Sequence, residues 1–303
     1  ERVAALVREA MRADLVRAIA EDATEDERVK DARTKQLAAL CLPNVNRAIC
    51  KRPCMTFAYS SQVYGMKQQT IKDVMEPLQL EVLDGVIKHH PFAEDEQTQH
   101  ACAGYFAKTA YRCIKRLVKG PAEAMAFLQQ LAGALAHEGK PLRWTTPIGL
   151  PWFNKYHAST TERISRWLED GGVTRRIETA VHTGYEARLK GEKCENAVSP
   201  NFVHALDASH LVLTAIAAAK EGITDTATVH DSFGCLPCHG ERYNEIIRET
   251  FVKMYEDHDV LAEIFLSALN DHSGTANSKK LPDLPAKGKL DLNEVLRAKY
   301  AFA

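Results

Sequence analysis

The feature that most narrows what this chain can fold into is helical periodicity, sustained through nearly half its length. Between residues 3 and 19, Val3, Val7, Met11, Leu15 and Ile19 recur every four positions among Arg, Asp and Glu, the pattern of an amphipathic helix. The acidic run at 21–27 reads as a solvated turn, and a second helix is expected from about residue 25 to 40. Helices over about 70–89, 95–118 and 121–137 follow, the last opened by Pro121 in its first turn.

The character changes at residues 143–151, RWTTPIGLP, where closely spaced prolines, a glycine and β-formers predict extended chain. The EDGG turn at 169–172 and the alternating VTRRIETAV after it predict a hairpin, basic at Arg175 and Arg176. Helix returns from Pro200 to Lys220 and stops at Gly222. Two short strands within 226–236 then flank a polar turn at His230, Asp231 and Ser232, and a helical tail runs from about 241 to 270. A proline-bearing loop at 279–289 and a last short helix precede an apolar end, YAFA. The expected fold class is α+β, predominantly α-helical, with a small antiparallel sheet. It divides into a helical part at 1–142, an extended segment with a hairpin at 143–199, and a final part at 200–303.

Composition excludes several classes. With 39 Lys and Arg against 40 Asp and Glu there is no global basic field, so any nucleic-acid groove must be local. No apolar run approaches the roughly 20 residues that span a bilayer, and no signal peptide opens the chain, which predicts an intracellular protein without membrane contact. The first residue is Glu1 rather than Met, which predicts a processed, split or truncated product. Eight dispersed cysteines argue for reduced thiols. Cys235 and Cys238 with His239 match a haem-attachment spacing or half a zinc site, but no second pair completes a tetrad. There is no internal repeat.

Chemistry concentrates at residues 47–69, RAICKRPCMTFAYSSQVYGMKQQ. Arg47 and Lys51 lie one helical turn apart, and Met55 and Tyr59 continue the same stripe. Two cations followed by an aromatic hydroxyl suit a site that holds a triphosphate at one end and inspects a sugar at the other. Pro53 deletes a backbone donor inside this helix, predicting a kink or a restart. Elsewhere His204, Asp207 and His210 share part of a helix face but lack the i, i+4 histidines of a zinc helix. Asp231 at a hairpin tip is rigid and exposed, as a metal ligand should be; Asp and Ser in such a turn also serve local backbone hydrogen bonds.

Three stretches, residues 47–69, PNFVHALDASH at 200–210 and VHDSFG at 229–234, together with the YAFA end, closely resemble the bacteriophage-type single-subunit DNA-dependent RNA polymerases. RWTTPIGLP and LPDLPAKG at 281–288 extend the resemblance over nearly the whole chain, in the right order. It implies the carboxy-terminal third of that family: the fingers, part of the palm and the terminal foot of a right-hand polymerase. Lys51 then resembles the lysine that neutralises the incoming triphosphate, Arg47 its phosphate-binding neighbour, and Arg52 a substrate or template contact. Tyr59 resembles the tyrosine that tells ribose from deoxyribose, and His204 a histidine near the ribose. Asp231, preceded by His230, resembles one of two palm aspartates that hold two catalytic Mg2+ ions. The hairpin falls where the family keeps its promoter-specificity loop, making Arg175 and Arg176 candidates for major-groove readout.

The resemblance implies NTPs, RNA transcript, promoter and template DNA as partners, and the cytoplasm of a phage-infected host. No counterpart of the first palm aspartate occurs, so a separate amino-terminal polypeptide is expected to supply it, and this chain is expected to be inactive without it. Two residues depart from the family pattern. Ser60 stands where glycine is usual, which bears on the stringency of ribose selection, and Pro53 replaces a residue that keeps its backbone donor. A catalytically silent DNA-binding module of the same fold and a related single-subunit DNA polymerase are the alternatives.

Overall fold

In the computed structural model all residues are described except Glu21, Gly171, Gly172, His230, Asp231, Ala276, Asn277, Phe302 and Ala303. The chain divides into two compact units, Glu1–Glu123 and Ala124–Ala303. Fold class is as the sequence predicts, α+β and mostly helical, with three separate two-stranded antiparallel sheets among the described residues.

The first unit is all helical. It contains α1 (Arg2–Val16), α2 (Glu25–Cys41), α3 (Arg47–Phe57), α4 (Val63–Thr70), α5 (Glu76–Leu83) and α6 (Glu96–Leu117). A capping box opens α2: the Thr24 hydroxyl accepts from the Glu27 amide while the Thr24 amide donates to the Glu27 carboxylate at 2.9 Å. Helix α6 carries the longest buried face of this unit, and α1, α2, α3 and α4 all pack against it. The helix expected over 70–89 begins earlier, at Val63, and ends at Leu83. It passes through a π-turn, Ile71–Met75. Pro77 lies just beyond, and its ring would strike the carbonyl four residues back, that of Asp73; widening the turn relieves that clash.

Helix α7 (Lys119–His137) carries the division between the units. The second unit continues with β1 (Leu142–Thr145), β2 (Pro151–Asn154), β3 (His157–Asp170), β4 (Val173–Leu189), α8 (Gly191–Lys220), β5 (Thr226–Val229), β6 (Ser232–Cys235), α9 (Gly240–Asp257), α10 (Val260–Asp271) and α11 (Glu294–Arg297). The extended segment predicted at 143–151 is the β1–β2 hairpin, turned at Gly149 with φ +84°, where a side chain would be strained. Its Trp144 packs edge-on to Phe202 of α8, 5.6 Å between ring centres, within a core that includes Leu131, Leu135, Val198 and Ile264.

Helix α8 starts nine residues before Pro200, where the sequence suggested a beginning, and runs through that proline. It is long and apolar enough, by length and composition, to cross a membrane, through an 18-residue stretch of high mean hydropathy. Its buried residues, Phe202, Leu206 and His210 among them, belong to the core of this unit.

Candidate nucleotide and metal site

Helix α3 is half sunk. Asn46 caps it, its side chain accepting from the Ile49 amide at 3.1 Å, and Ile49, Cys50, Pro53 and Phe57 are buried. Phe57 packs against Tyr111 of α6 with 5.5 Å between ring centres. Of the kink or restart expected at Pro53, the restart does not occur: the helix continues through it, and its ring is buried in the packed face. Burial pushes the Cys50 thiol up to about 12, which leaves it an inert core residue, and all eight cysteines are free.

This packing turns the opposite stripe outward: Arg47, Lys51, Met55 and Tyr59 are all exposed, Tyr59 at 39%. Among the described residues neither Arg47 nor Lys51 has a carboxylate partner. Arg52 differs, because its guanidinium donates from Nη1 to both carboxylate oxygens of Asp73 in the π-turn. One turn on, Thr56 Oγ1 lies 3.1 Å from Gln69 Oε1.

The chain then reverses. The Ser61 amide donates to the Thr56 carbonyl and the Ser60 amide to the Phe57 carbonyl, both at 3.1 Å, the bond pair of a Schellman motif. Its left-handed position is Ser60, with φ +62°, the one non-glycine residue with positive φ among the described residues. The sugar-inspecting candidate Tyr59 is thus adjacent to a backbone conformation that favours glycine.

In the second unit, His204 and Asp207 lie on the exposed side of α8. His210 turns into the core, where its Nε2–H donates to the Ile247 carbonyl at 2.8 Å and its ring meets Phe233 edge-on at 5.6 Å. The three therefore do not share a ligand pocket, and no group of three metal-ligating side chains occurs among the described residues. The β5–β6 hairpin is described up to the pair Val229 and Ser232; His230 and Asp231, the expected metal turn, lie outside the described residues. Phe233 anchors the hairpin, reaching both His210 and Tyr243.

Strands β3 and β4 form a ribbon of 14 and 17 residues, among the described residues paired with each other alone. Arg176 sits opposite Trp167 and Arg175 opposite Leu168, so the two arginines project from opposite faces. Arg176 pairs with Glu178 at 2.9 Å on its own face. Trp167, 68% exposed beside Arg176, escaped the sequence reading, as did Asp73 and Gln69; alternation along the strand is the signal that finds the first.

Comparison with known proteins adds an independent line. Residues 2–280 match the family model described as DNA-dependent RNA polymerase. The chain is 34% identical over 284 residues to T7 RNA polymerase of Escherichia phage T7, covering 89% of this chain and 31% of that protein. It is 33% identical over 272 residues to the DNA-directed RNA polymerase of Enterobacteria phage T3, covering 86% of this chain and 29% of that protein. A third relative, the mitochondrial DNA-directed RNA polymerase 1B of Nicotiana tabacum, is 31% identical over 300 residues, 99% of this chain and 26% of that one. The chain thus spans less than a third of the length of these relatives.

Proposed function

Because the chain belongs to the phage-type DNA-dependent RNA polymerase family across nearly its whole length, we propose that it is the carboxy-terminal, nucleotide-holding part of an enzyme that transfers nucleotides from NTPs on a DNA template. The observation that carries this reading is the outward stripe of α3. Arg47 and Lys51 stand exposed, without a carboxylate partner among the described residues, on a helix with one buried face, with Met55 next in line on that helix and Tyr59 just past its end.

In this reading Lys51 and Arg47 bind the triphosphate and stabilise the negative charge that gathers on the leaving group. Tyr59, at the end of the stripe, reads the sugar, and His204 and His230 keep the substrate-binding roles that the resemblance implies. Asp231 would hold Mg2+; when bound, the two ions would supply the charge that acidifies the 3′-hydroxyl and balances the pyrophosphate. The fit to that metal is partial. The turn offers one carboxylate, and the described residues complete no ligand set, so the second aspartate is assigned to a separate amino-terminal polypeptide. The β3–β4 ribbon has the form a major groove admits, and Arg175 and Arg176 are its candidate base-reading groups.

The test is reconstitution with that amino-terminal polypeptide. Asp231→Asn is expected to lower RNA synthesis by at least about a hundredfold, the scale of a lost electrostatic stabiliser, while promoter binding persists. Preserved turnover would sink the metal assignment. A complex that binds DNA but makes no transcript with magnesium would favour the silent DNA-binding module instead.

A further inference from the structure

Two polar contacts bridge α3 to the helix that follows it, and they are evenly spaced on both sides. Arg52 and Thr56 are four residues apart on α3; their partners Asp73 and Gln69 are four residues apart across α4 and the π-turn. Four apart is one helical turn, so these are two rungs on facing helix surfaces, Arg52 to Asp73 and Thr56 to Gln69. The rungs stand next to the outward stripe, since Arg52 and Thr56 directly follow Lys51 and Met55 in the chain.

The buried face of α3 is made of Ile49, Cys50, Pro53 and Phe57, and apolar packing of this kind is non-directional. It holds the helix down but specifies its roll about its own axis only loosely. A guanidinium gripped by both oxygens of one carboxylate is directional. The pair lines an open cavity of about 500 Å³ together with Pro53 and Gln69, and the Arg52 side chain is 57% exposed. An ion pair so placed adds little to stability, so its consequence is orientation.

We infer that Asp73, assisted by Gln69, is a positioning residue that sets the roll of α3 through Arg52 and Thr56, and thereby where Lys51 and Tyr59 meet the triphosphate and the ribose. The inference rests on the polymerase reading proposed above. In it the Arg52 charge is engaged by the protein's own carboxylate, while Arg47 and Lys51 face the nucleotide.

The reconstituted complex tests this by steady-state RNA synthesis with ribonucleotides and deoxyribonucleotides. Asp73→Ala is expected to raise the KM for NTP roughly fivefold and to weaken ribose preference, with kcat within about twofold, as the loss of one coupled contact would. Arg52→Ala and the double variant Arg52→Ala/Asp73→Ala should reach the same values, because all three remove one rung, and Asp73→Glu should restore most of the loss. If Asp73→Ala keeps the parent KM and ribose preference while Arg52→Ala raises KM, Arg52 touches the nucleotide directly and the inference is overturned. It is equally overturned if Asp73→Ala only lowers the amount of active complex. A parent complex that makes no RNA overturns the polymerase reading and this inference with it.

Discussion

Helix α3 and the β3–β4 ribbon both present cations to solvent, yet they hold them in opposite ways. In α3 a buried apolar face sinks one side of the helix and leaves Arg47 and Lys51 on the other, with the Arg52–Asp73 contact beside them. The ribbon has no buried face over residues 159–169 and 174–183; each strand is bonded to the other and both faces meet solvent. A two-stranded hairpin alone is marginal in water, so its shape depends on its own ladder and on whatever it binds. The contrast matches two tasks within the proposed function. Chemistry repeated at every nucleotide is placed on a packed element, and sequence reading is placed on one whose side chains can vary without cost to a core.

Removing an anchor from each element tests the contrast most severely. Phe57 is 2% exposed and packed on Tyr111, so Phe57→Ala should destabilise the first unit by about 3–5 kcal/mol, the usual cost of deleting a buried aromatic. Trp167 is the larger side chain but is 68% exposed, and Trp167→Ala should stay within about 0.5 kcal/mol. Urea unfolding followed by circular dichroism measures both. Equal losses would mean that the ribbon is packed after all, and the distinction would disappear.

The same contrast explains what could be read before the structure. Helices were legible because burial on one face leaves a 3.6-residue period, and the outward stripe of α3 is the complement of that period. The prolines misled in both directions. Pro53 suggested a kink or a restart, but no restart occurs: its ring contributes to the buried face of α3, and that packing offsets the lost donor. Pro200 suggested a start, but α8 already runs from Gly191. The ribbon was legible from the Gly-Gly pair in its sequence and from alternation, although its full length was not, since bulges between His157 and Ser159 and between Thr160 and Thr161 disturb the alternation near its base. The pairing of Arg52 with Asp73 left no local trace. It joins residues 21 positions apart and depends on how two helices pack.

A smaller effect is expected at the turn that ends the stripe. Ser60 takes φ +62° at the left-handed position of a Schellman motif, where a side chain costs about 1–2 kcal/mol and glycine is relieved of that cost. Glycine loses more chain entropy on folding, so the net gain from Ser60→Gly should be about 0.5–1 kcal/mol. If the strain also bears on Tyr59, the reconstituted complex should change its preference between ribo- and deoxyribonucleotides. Stability that falls on this substitution would show that the Ser60 side chain contributes more than its backbone costs.

The last test uses pH to loosen a packed element while sparing the ribbon. Burial lowers the His210 pKa, outweighing the hydrogen bond to Ile247 and the nearby charge of Asp207, which raise it. The unfolded chain protonates this histidine near its ordinary value of about 6.5, whereas the folded chain resists until lower pH. Above that value both states are neutral and the full contribution of His210 is present. As pH falls from there toward the lowered folded value, the unfolded state takes up the proton first and stability is lost. His210→Gln retains a donor for the Ile247 carbonyl and cannot titrate, so this part of the slope should vanish from urea midpoints measured between about pH 7 and 5. Because His210 supports Phe233, acid should also lower the protection against hydrogen exchange in β6, at Ser232–Cys235, relative to the intrinsic rate at each pH, more than in β3 or β4. An equal loss of protection in the ribbon would show that its strands lean on the same core, and that the two ways of holding a cation are one.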